Sequence, residues 1–319
     1  MRATGSGNFQ PTMKLIILGA AAGGGFPQWN CACRNCARAR SGDPAARPRT
    51  QAAIAVSGNG SDYVIFNASP DLREQILATK VLHPRQGLRD SPIAAVVLTG
   101  GDVDFTAGLL NLREGQRFAL YAGQRILDLL DASVIFRVLA PDLVPRRRLD
   151  QNHTTPLQDA AGQDLGITVE PFAVPGKVAL YAEDTSRADL GSSEGDTLGV
   201  KITGADGACL YYIPACAAVT PDLAARLRGA PVVLFDGTLW HDNEMIDAGL
   251  LPKTGRRMGH ISVSGPDGTL AAMEGLGIGR KIFVHINNSN PMILDDSPER
   301  EQAERAGWTI AHDGLELSL

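Results

Sequence analysis

The stretch Leu98-Thr-Gly-Gly-Asp-Val-Asp-Phe-Thr-Ala-Gly-Leu-Leu110 joins an apolar strand to a polar loop and then to a helix start. Residues 93–98 are β-branched and apolar, as expected of an interior strand. The loop that follows carries two carboxylates, Asp102 and Asp104, and no imidazole, which favours a hard cation over a pair of zinc ions. Gly-Gly-Asp is also a common turn, in which an aspartate can cap the next helix. Asp102 is therefore the better candidate ligand, and Asp104 is open between a ligand, a helix cap and a group that orients ligands.

Length and charge limit the classes of function. A chain of 319 residues can bury a large core and predicts one large α/β domain or two smaller ones. The formal charge of −5, with a single basic cluster at Arg146–Arg148, argues against nucleic acid as a partner. No apolar run reaches the roughly 20 residues that span a bilayer, and residues 15–25 lack the flanks of a secretory signal. We therefore expect a soluble, cytoplasmic protein.

Periodicity divides the chain into a leader and one folded domain. Residues 1–12 are polar and aperiodic and predict a disordered leader, whereas residues 13–319 predict a single domain. Apolar runs predict strands at 14–18, 52–56, 63–67, 93–98, 118–121, 168–174, 197–203, 209–213, 232–235, 281–285 and 308–310. Helical patterns cover 72–80, 104–112, 124–135, 221–227 and 270–276. Two β-rich halves with helices outside predict an α/β sandwich of two sheets flanked by helices.

The array Cys31-Ala-Cys33-Arg-Asn-Cys36 contains three of the five cysteines and indicates a metal site in a reducing compartment. Three thiols in a tight turn can converge on one ion, and zinc is the expected ion. A redox-active cluster and three unrelated thiols are the alternatives. A fourth ligand has to come from elsewhere, because Cys209 and Cys216 have the sequence context of core thiols. The expected role is structural, since zinc would pin the glycine-rich loop against the body.

Three of the six histidines have the context of functional residues. His241, His260 and His285 each follow a predicted strand or lie in a glycine-bearing loop, where functional side chains are usually displayed. Asp236 ends a strand in the same way. The other histidines have the context of surface residues and are His83, His153 and His312. A structural histidine is the alternative for any single one of the first group, whereas a shared site explains the group better.

Four segments carry a family resemblance. They are Gly19–Cys36, Asn67–Asp71, Phe235–Trp240 with Met258–His260, and His285–Pro291. Together they resemble the pyrroloquinoline quinone biosynthesis protein B family, a branch of the metallo-β-lactamase superfamily, over nearly the whole chain from Met13. The resemblance implies the αββα fold of that superfamily, in which two mixed β-sheets are flanked by helices.

The resemblance also assigns residues to metal positions. The superfamily loop His-x-His-x-Asp-His is occupied here by Gly100, Asp102, Asp104 and Phe105, and family members often carry a histidine where Phe105 stands. A related phosphodiesterase of phosphonate metabolism completes the same three-cysteine array with a histidine. The matching position is Asn288, which the resemblance implies as the fourth contact of the zinc.

The implied function is a step in making pyrroloquinoline quinone from a cross-linked Glu-Tyr unit of a precursor peptide, alongside other proteins of that pathway. Members of the family have been described as carriers of the cofactor or its precursor toward the periplasm and as iron-dependent hydroxylases. Because a tyrosine ring becomes a quinone by gaining oxygen, our leading hypothesis is an oxygen-dependent hydroxylase that contains Fe²⁺. The expected iron ligands are Asp102, His260 and His285. The further catalytic candidates are Asp104, Asp236 and His241.

Two arginines and two competing functions complete the hypothesis. Arg256 and Arg257 lie close to His260 in sequence and can hold substrate carboxylates, although solvated loop arginines are an equal alternative. One competing function is a hydrolase in which a single metal activates water. The other is a carrier that binds the cofactor or its precursor without changing it.

Overall fold

The computed structural model describes residues 13–184, 186 and 193–319. The predicted leader at 1–12 lies outside the described residues. Within the described part of the chain, no helix combines the length and apolar character that a bilayer crossing requires.

The first sheet contains seven strands among the described residues. Their spatial order is β14 (Glu316–Ser318), β1 (Lys14–Gly19), β2 (Ala53–Ser57), β3 (Tyr63–Phe66), β4 (Ile93–Val97), β5 (Ala119–Ala122) and β6 (Arg146–Arg148). The pairs from β14 to β3 are antiparallel, and the pairs from β3 to β6 are parallel. The sheet is therefore mixed, with its parallel half formed by β3 to β6.

The second sheet repeats this arrangement. Its order within the described residues is β13 (Trp308–Ile310), β12 (Arg280–Val284), β11 (Val232–Asp236), β10 (Cys209–Ile213), β9 (Leu198–Gly204), β8 (Asp164–Ala173) and β7 (Thr155–Gln158). The pairs from β7 to β10 are antiparallel, and the pairs from β10 to β13 are parallel. Each sheet thus has three antiparallel pairs followed by three parallel ones.

Helices cover the outer faces of both sheets. The α-helices are α1 (Arg34–Arg40), α2 (Leu72–Ala78), α3 (Val103–Thr106), α4 (Gln124–Ala132), α5 (Pro221–Leu227), α6 (Glu244–Asp247), α7 (Thr269–Ala272) and α8 (Pro298–Arg305). Short 3₁₀ helices lie at Lys80–Leu82, Ala107–Leu112, Val134–Val138, Leu180–Ala182, Arg256–Met258 and Pro291–Ile293. An apolar core fills the space between the sheets, with Ile17 and Phe66 of the first sheet and Val200 and Leu234 of the second fully enclosed. The predicted sandwich of two sheets flanked by helices is confirmed.

The structure corrects several predicted elements. The predicted helix at 104–112 is α3 followed by a 3₁₀ helix, and the one at 124–135 ends at Ala132. The predicted helix at 270–276 is shortened to α7. The sequence analysis missed β6, β7 and β14, which lie at or next to sheet edges and lack apolar alternation. It also missed α1, α6 and α8, which are short or polar.

The parallel strands bring loops to one edge. Asp236 is the last residue of β11, His285 directly follows β12, and the loop with Asp102 and Asp104 follows β4. Because carboxyl ends of parallel strands meet at the same edge, these loops converge, as ligand sites in open α/β sheets usually do. Asn67 fastens the neighbouring loop: its Oδ1 accepts from the Thr99 backbone N–H at 2.9 Å.

Substitution of Gly108 tests how tightly its backbone packs against residues 68 and 69. We expect Gly108→Ala to lower the free energy of unfolding by at least about 2 kcal/mol, because overpacking displaces backbone. The added Cβ would lie 2.0 Å from the carbonyl oxygen of Ser69 and 2.8 Å from that of Ala68. Chemical denaturation followed by circular dichroism measures the loss. Gly42→Ala is the control. A Cβ added at Gly42 would meet no atom within 4 Å, so this variant loses only the cost of holding alanine at a φ of +76°. Equal losses in both variants would contradict the packing argument.

Candidate active site

Three buried or partly buried side chains form a set that can hold one metal ion. Asp236, His260 and His285 each offer a ligand atom, and these atoms lie within 4.8 Å of one another. Asp236 and His285 are buried, whereas His260 is partly exposed. His260 Nδ1 lies 2.7 Å from Asp236 Oδ2. A mixed set of two imidazoles and a carboxylate suits a first-row transition metal such as iron or zinc.

Cys216 and Thr238 hold this set in place. The Cys216 N–H donates to Asp236 Oδ2 at 2.9 Å, and the Cys216 carbonyl accepts from the Ile261 N–H at 2.6 Å. The Thr238 hydroxyl lies 2.6 Å from Asp236 Oδ1, 3.1 Å from His260 Nδ1 and 2.8 Å from His285 Nδ1. One hydroxyl thus contacts all three members of the set, so their relative positions depend on Thr238.

His285 is fixed by its backbone and by two neighbours. Its φ of +55° is left-handed, a conformation that non-glycine residues adopt when the surroundings impose it. Its Nε2 lies 2.8 Å from Asp104 Oδ2. Burial alone would lower the pKa of His285, but the hydrogen bond and charge of Asp104 outweigh it and raise that pKa. The same pairing lowers the pKa of Asp104 against the opposing effect of burial. Asp104 therefore contacts the candidate ligands directly rather than capping α3.

Asp102 has different partners from those expected. It lines the same cleft, but its Oδ1 accepts from the Leu180 N–H at 3.1 Å and lies 3.8 Å from Lys177 Nζ. Burial raises the pKa of Asp102, and Lys177 opposes this. The expected grouping of Asp102 with His260 and His285 is therefore corrected, because the carboxylate that the structure brings to both histidines is Asp236.

Phe105 and Gly100 pack closely against each other beside the candidate ligands. A Cβ on Gly100 would lie 2.9 Å from Phe105 Cδ2. The buried Phe105 ring meets the His285 imidazole edge to face, with ring centroids 5.6 Å apart. His285 in turn stacks on His260 at 5.1 Å. The Phe105 ring thus supports His285, a candidate ligand, through a direct ring contact.

His260 and His285 line a cleft of about 370 Å³, and Asp236 is buried behind them. Arg257 lines this cleft, as do Lys177 and Lys253. Arg256 does not line it; its side chain is 60% exposed, and its guanidinium lies 3.7 Å from the Asp267 carboxylate. His241 is also outside the lining, with a half-exposed ring 3.8 Å from Asp247. The structure therefore brings Arg257 to the candidate site and leaves Arg256 and His241 away from it.

The three cysteines converge as the sequence predicted. Cys31, Cys33 and Cys36 place their sulfurs within 4.8 Å of one another. The Asn288 amide nitrogen faces all three sulfurs, at 3.2 Å from Cys31, 3.3 Å from Cys36 and 3.7 Å from Cys33. Burial opposes ionisation of Cys31, but hydrogen bonds from Cys33, Cys36 and Asn288 lower its pKa. The donor set suits zinc, which prefers thiolates in closed sites.

Asn35 ties this cysteine cluster to the segment that carries Asn288. Its amide nitrogen lies 3.0 Å from the carbonyl oxygens of Asn288 and Ser289 and 3.3 Å from that of Asn290. Asn290 in turn donates to the Gly237 carbonyl at 2.9 Å, beside Thr238. The cluster and the candidate active site therefore share one short segment of backbone.

A buried carboxyl lies on the other side of that segment. Glu244 accepts from the Trp240 N–H at 2.6 Å and from the Ser289 hydroxyl. Burial raises the pKa of Glu244 to about 7, although the hydrogen bonds from Ser289 and Trp240 oppose the rise. The Ser289 hydroxyl also lies 2.6 Å from the Asn287 amide nitrogen, and Asn287 lines the cleft.

The sequence analysis missed several site residues. Thr238 was visible as a polar side chain two residues after Asp236, and Lys253 as part of the cationic loop before His260. Lys177 and Glu183 carried no signal of their own, because tertiary packing brings them to the cleft. The same holds for Asn35 and Glu244, which packing brings to the segment that carries Asn288 and Ser289.

The hydrogen bonds of Asn35 to three carbonyl oxygens lead to a prediction about how fast the expected zinc is released. Asn35→Ala should release zinc to a chromogenic chelator about 10-fold faster, because three carbonyls lose their donor and the segment that carries Asn288 loosens. Asn59→Ala is the control, since Asn59 bonds within an exposed hairpin loop. An unchanged rate of zinc release from Asn35→Ala would show that the hydrogen bonds of Asn35 do not stabilise the cysteine site.

Glu244 predicts a pH dependence of stability. The folded-state pKa of about 7 exceeds the ordinary value of 4.5, so the folded protein keeps a proton that the unfolded chain loses. The contribution of Glu244 to the free energy of unfolding is therefore fully present below about pH 4.5 and is lost as the pH rises through about 7. We expect the free energy of unfolding to fall by on the order of 1 to 3 kcal/mol over this pH range. Glu244→Gln should remove most of this decrease, because glutamine does not titrate. Urea denaturation from pH 5 to pH 8 measures it, and parallel curves for both proteins would contradict the assignment.

The chain was compared with known families and curated proteins. The family model described as "Beta-lactamase superfamily domain" matches residues 62–286. Coenzyme PQQ synthesis protein B of Gluconacetobacter diazotrophicus is 55% identical over 307 residues, which are 95% of this chain and 99% of that protein. The protein of the same name from Rhodopseudomonas palustris is 53% identical over 311 residues, 96% of this chain and 100% of that protein.

Solved structures agree with these matches. The Zn²⁺-bound PqqB of Methylobacterium extorquens superposes with a TM-score of 0.90 at 50% identity, covering 96% of this chain and 100% of that one. A diphosphatase of the PhnP family gives a TM-score of 0.67 at 22% identity, covering 96% and 97%, and bears on the fold alone. The expected metallo-β-lactamase fold is confirmed. The chain therefore belongs to the coenzyme PQQ synthesis protein B family within the β-lactamase superfamily.

Proposed function

We propose that the chain acts in pyrroloquinoline quinone biosynthesis as an iron- and oxygen-dependent hydroxylase of the tyrosine-derived ring of a Glu-Tyr precursor. The observation that carries the proposal is the grouping of Asp236, His260 and His285, whose ligand atoms lie within 4.8 Å of one another, with the two histidines lining one cleft. The biosynthetic role is supported by the name of relatives that are more than 50% identical over nearly their whole length.

The donor set fits iron. Two imidazoles and one carboxylate with open positions are the ligands of many non-haem Fe(II) oxygenases. Asp236, His260 and His285 would hold the ion, and Asp104 would orient His285 from 2.8 Å. Bound Fe²⁺ would supply activation of dioxygen, by which one oxygen atom enters a ring C–H bond while a reductant provides the electrons that turn the other into water.

The remaining residues prepare the site for a small aromatic substrate. Phe105 and Gly100 fill two superfamily ligand positions by packing, which supports a single metal centre. A cleft of about 370 Å³ suits one ring with its substituents better than a folded peptide. Arg257, which lines the cleft, would hold a substrate carboxylate, since guanidinium matches that geometry. Other proteins of the pathway would supply the excised precursor.

The cysteine site has a structural role in this proposal. Cys31, Cys33 and Cys36 would bind zinc, and the Asn288 amide, turned so that its oxygen rather than its nitrogen faces the sulfurs, would be the fourth contact. The zinc would then stabilise the segment that joins Asn288 to His285, and it would take no part in turnover.

Anaerobic mixing followed by oxygen tests the function. The protein with ferrous ion, ascorbate and a synthetic cross-linked glutamyl-tyrosine amino acid should add oxygen mass to the substrate once oxygen is admitted. His260→Ala and His285→Ala should each lower this rate at least 100-fold, because each removes a ligand. His153→Ala, an exposed histidine away from the cleft, is the control.

The outcomes separate the hydroxylase from its competitors. Substrate cleavage without oxygen would indicate a hydrolase. Binding of unaltered substrate or cofactor at one equivalent, with no need for iron, would indicate a carrier. Either result would overturn the proposal.

A further inference from the structure

Asn287 lines the cleft with a side-chain amide, two residues after His285. The residue is 9% exposed, and its amide nitrogen donates to the Ser289 hydroxyl at 2.6 Å and to the Met245 sulfur at 3.3 Å. Its side-chain carbonyl oxygen accepts no hydrogen bond from any residue that the structure describes. This oxygen is therefore free to accept from a ligand in the cleft, as long as the amide keeps its orientation.

The partners of an amide decide its orientation, because its oxygen and nitrogen ends have nearly the same shape. Ser289 is the partner of Asn287, and its hydroxyl has one proton to donate. The Ser289 hydroxyl donates that proton to Glu244 Oε1, while Glu244 Oε2 accepts from the Trp240 N–H at 2.6 Å. The Ser289 oxygen is thus left as an acceptor toward Asn287, and it selects the nitrogen end of that amide.

The charge of Glu244 sets the direction of this chain of hydrogen bonds. Glu244 is 5% exposed, and burial raises its pKa to about 7, with a smaller contribution in the same direction from Glu299 of α8. Above that pH the carboxylate is ionised and only accepts. A donor at the same position would reverse the chain: Ser289 would accept from it and donate to the Asn287 carbonyl oxygen, which would turn away from the cleft.

We propose that the Asn287 carbonyl oxygen accepts a hydrogen bond from a ring hydroxyl of the substrate, and that Glu244 and Ser289 are positioning residues that hold it toward the cleft. The inference rests on the proposed function, because the phenol of the tyrosine-derived ring supplies such a hydroxyl. It adds the side chain that distinguishes a ring hydroxyl from an ether. A site built to pair with a hydroxyl discriminates against ligands that lack one, since its own acceptor is then left unpaired.

Binding to the metal-free protein at pH 8 tests the acceptor. The probes are the synthetic cross-linked glutamyl-tyrosine amino acid and its phenol methyl ether, which keeps the ring and the carboxylates but cannot donate. Calorimetry should show the phenol binding about 10-fold more tightly than the ether. Asn287→Leu, which has a similar shape and no acceptor, should lower this ratio to about 1, and Asn287→Asp should retain it. A clash with the methyl group alone would leave the ratio unchanged in Asn287→Leu.

Glu244→Gln tests the positioning without removing the acceptor. The glutamine amide can donate to Ser289 and still accept from the Trp240 N–H, so the chain reverses and the ratio of phenol to ether binding should fall to about 1. Ser289→Ala should lower the ratio to a similar extent, and Ser289→Thr should restore it, because threonine keeps the hydroxyl. Glu114→Gln, at an exposed glutamate outside the cleft, is the control.

The ratio separates positioning from general stability, because a purely structural role would weaken both probes equally. Equal binding of the two probes, binding of neither, or an unchanged ratio in Asn287→Leu would overturn the assignment of the acceptor. An unchanged ratio in Glu244→Gln and Ser289→Ala would overturn the positioning roles, even if hydroxylation is observed. A preference for the phenol that depends on Asn287, without any oxygen added to the substrate, would overturn the proposed function alone.

Discussion

The backbone between His285 and Asn290 is held in one position from both sides, and both candidate metal sites depend on it. On one side, the Ile286 N–H donates to the Ala20 carbonyl at 2.9 Å, and the Ala22 N–H donates to the Ile286 carbonyl at 2.8 Å. On the other, the Asn287 N–H donates to the Thr238 carbonyl at 3.0 Å. These bonds impose the left-handed conformation of His285, whose φ is +55°. The segment therefore connects the glycine-rich loop after β1 to the end of β11.

This connection explains why a cysteine cluster accompanies a site that it does not enter. Asn288 faces the three sulfurs and is separated from His285 by two residues, so movement of the cluster would be transmitted through very little chain. Cys31 and Cys36 also belong to the apolar layer outside the second sheet, together with Met292 and Ile293. Rigid packing behind a ligand keeps it within the few tenths of an ångström that catalysis requires. A structural zinc would stabilise the active site through this packing.

The sequence predicted the interior of the fold better than its edges. Strands such as β4 and β11 are apolar on both faces and were found within a residue or two, since burial on both faces leaves a continuous apolar run. The strand β6 consists of three arginines, and Arg147 lies over the Tyr121 ring, a contact that periodicity does not reveal. Tertiary packing, rather than local pattern, decides such edge strands.

The same division holds for the site. His260, His285 and Asp236 were expected because each lies at a strand end or in a glycine-bearing loop. Choosing between Asp102 and Asp236 was beyond pattern reading, because the choice depends on the contacts of Asp102 with Lys177 and Leu180. Lys177 lies 75 residues further along the chain than Asp102.

Phe105 has a structural role beside the candidate ligands. Phe105 fills the space beside Gly100 and places its ring edge to face against His285, at 5.6 Å between centroids. Such a contact contributes about 0.5–1.5 kcal/mol beyond area burial and restricts the imidazole plane. Phe105 thus orients His285, a candidate ligand, from a position that offers no donor atom of its own. The imidazole plane is therefore set by packing as well as by the contacts of its two nitrogens with Thr238 and Asp104.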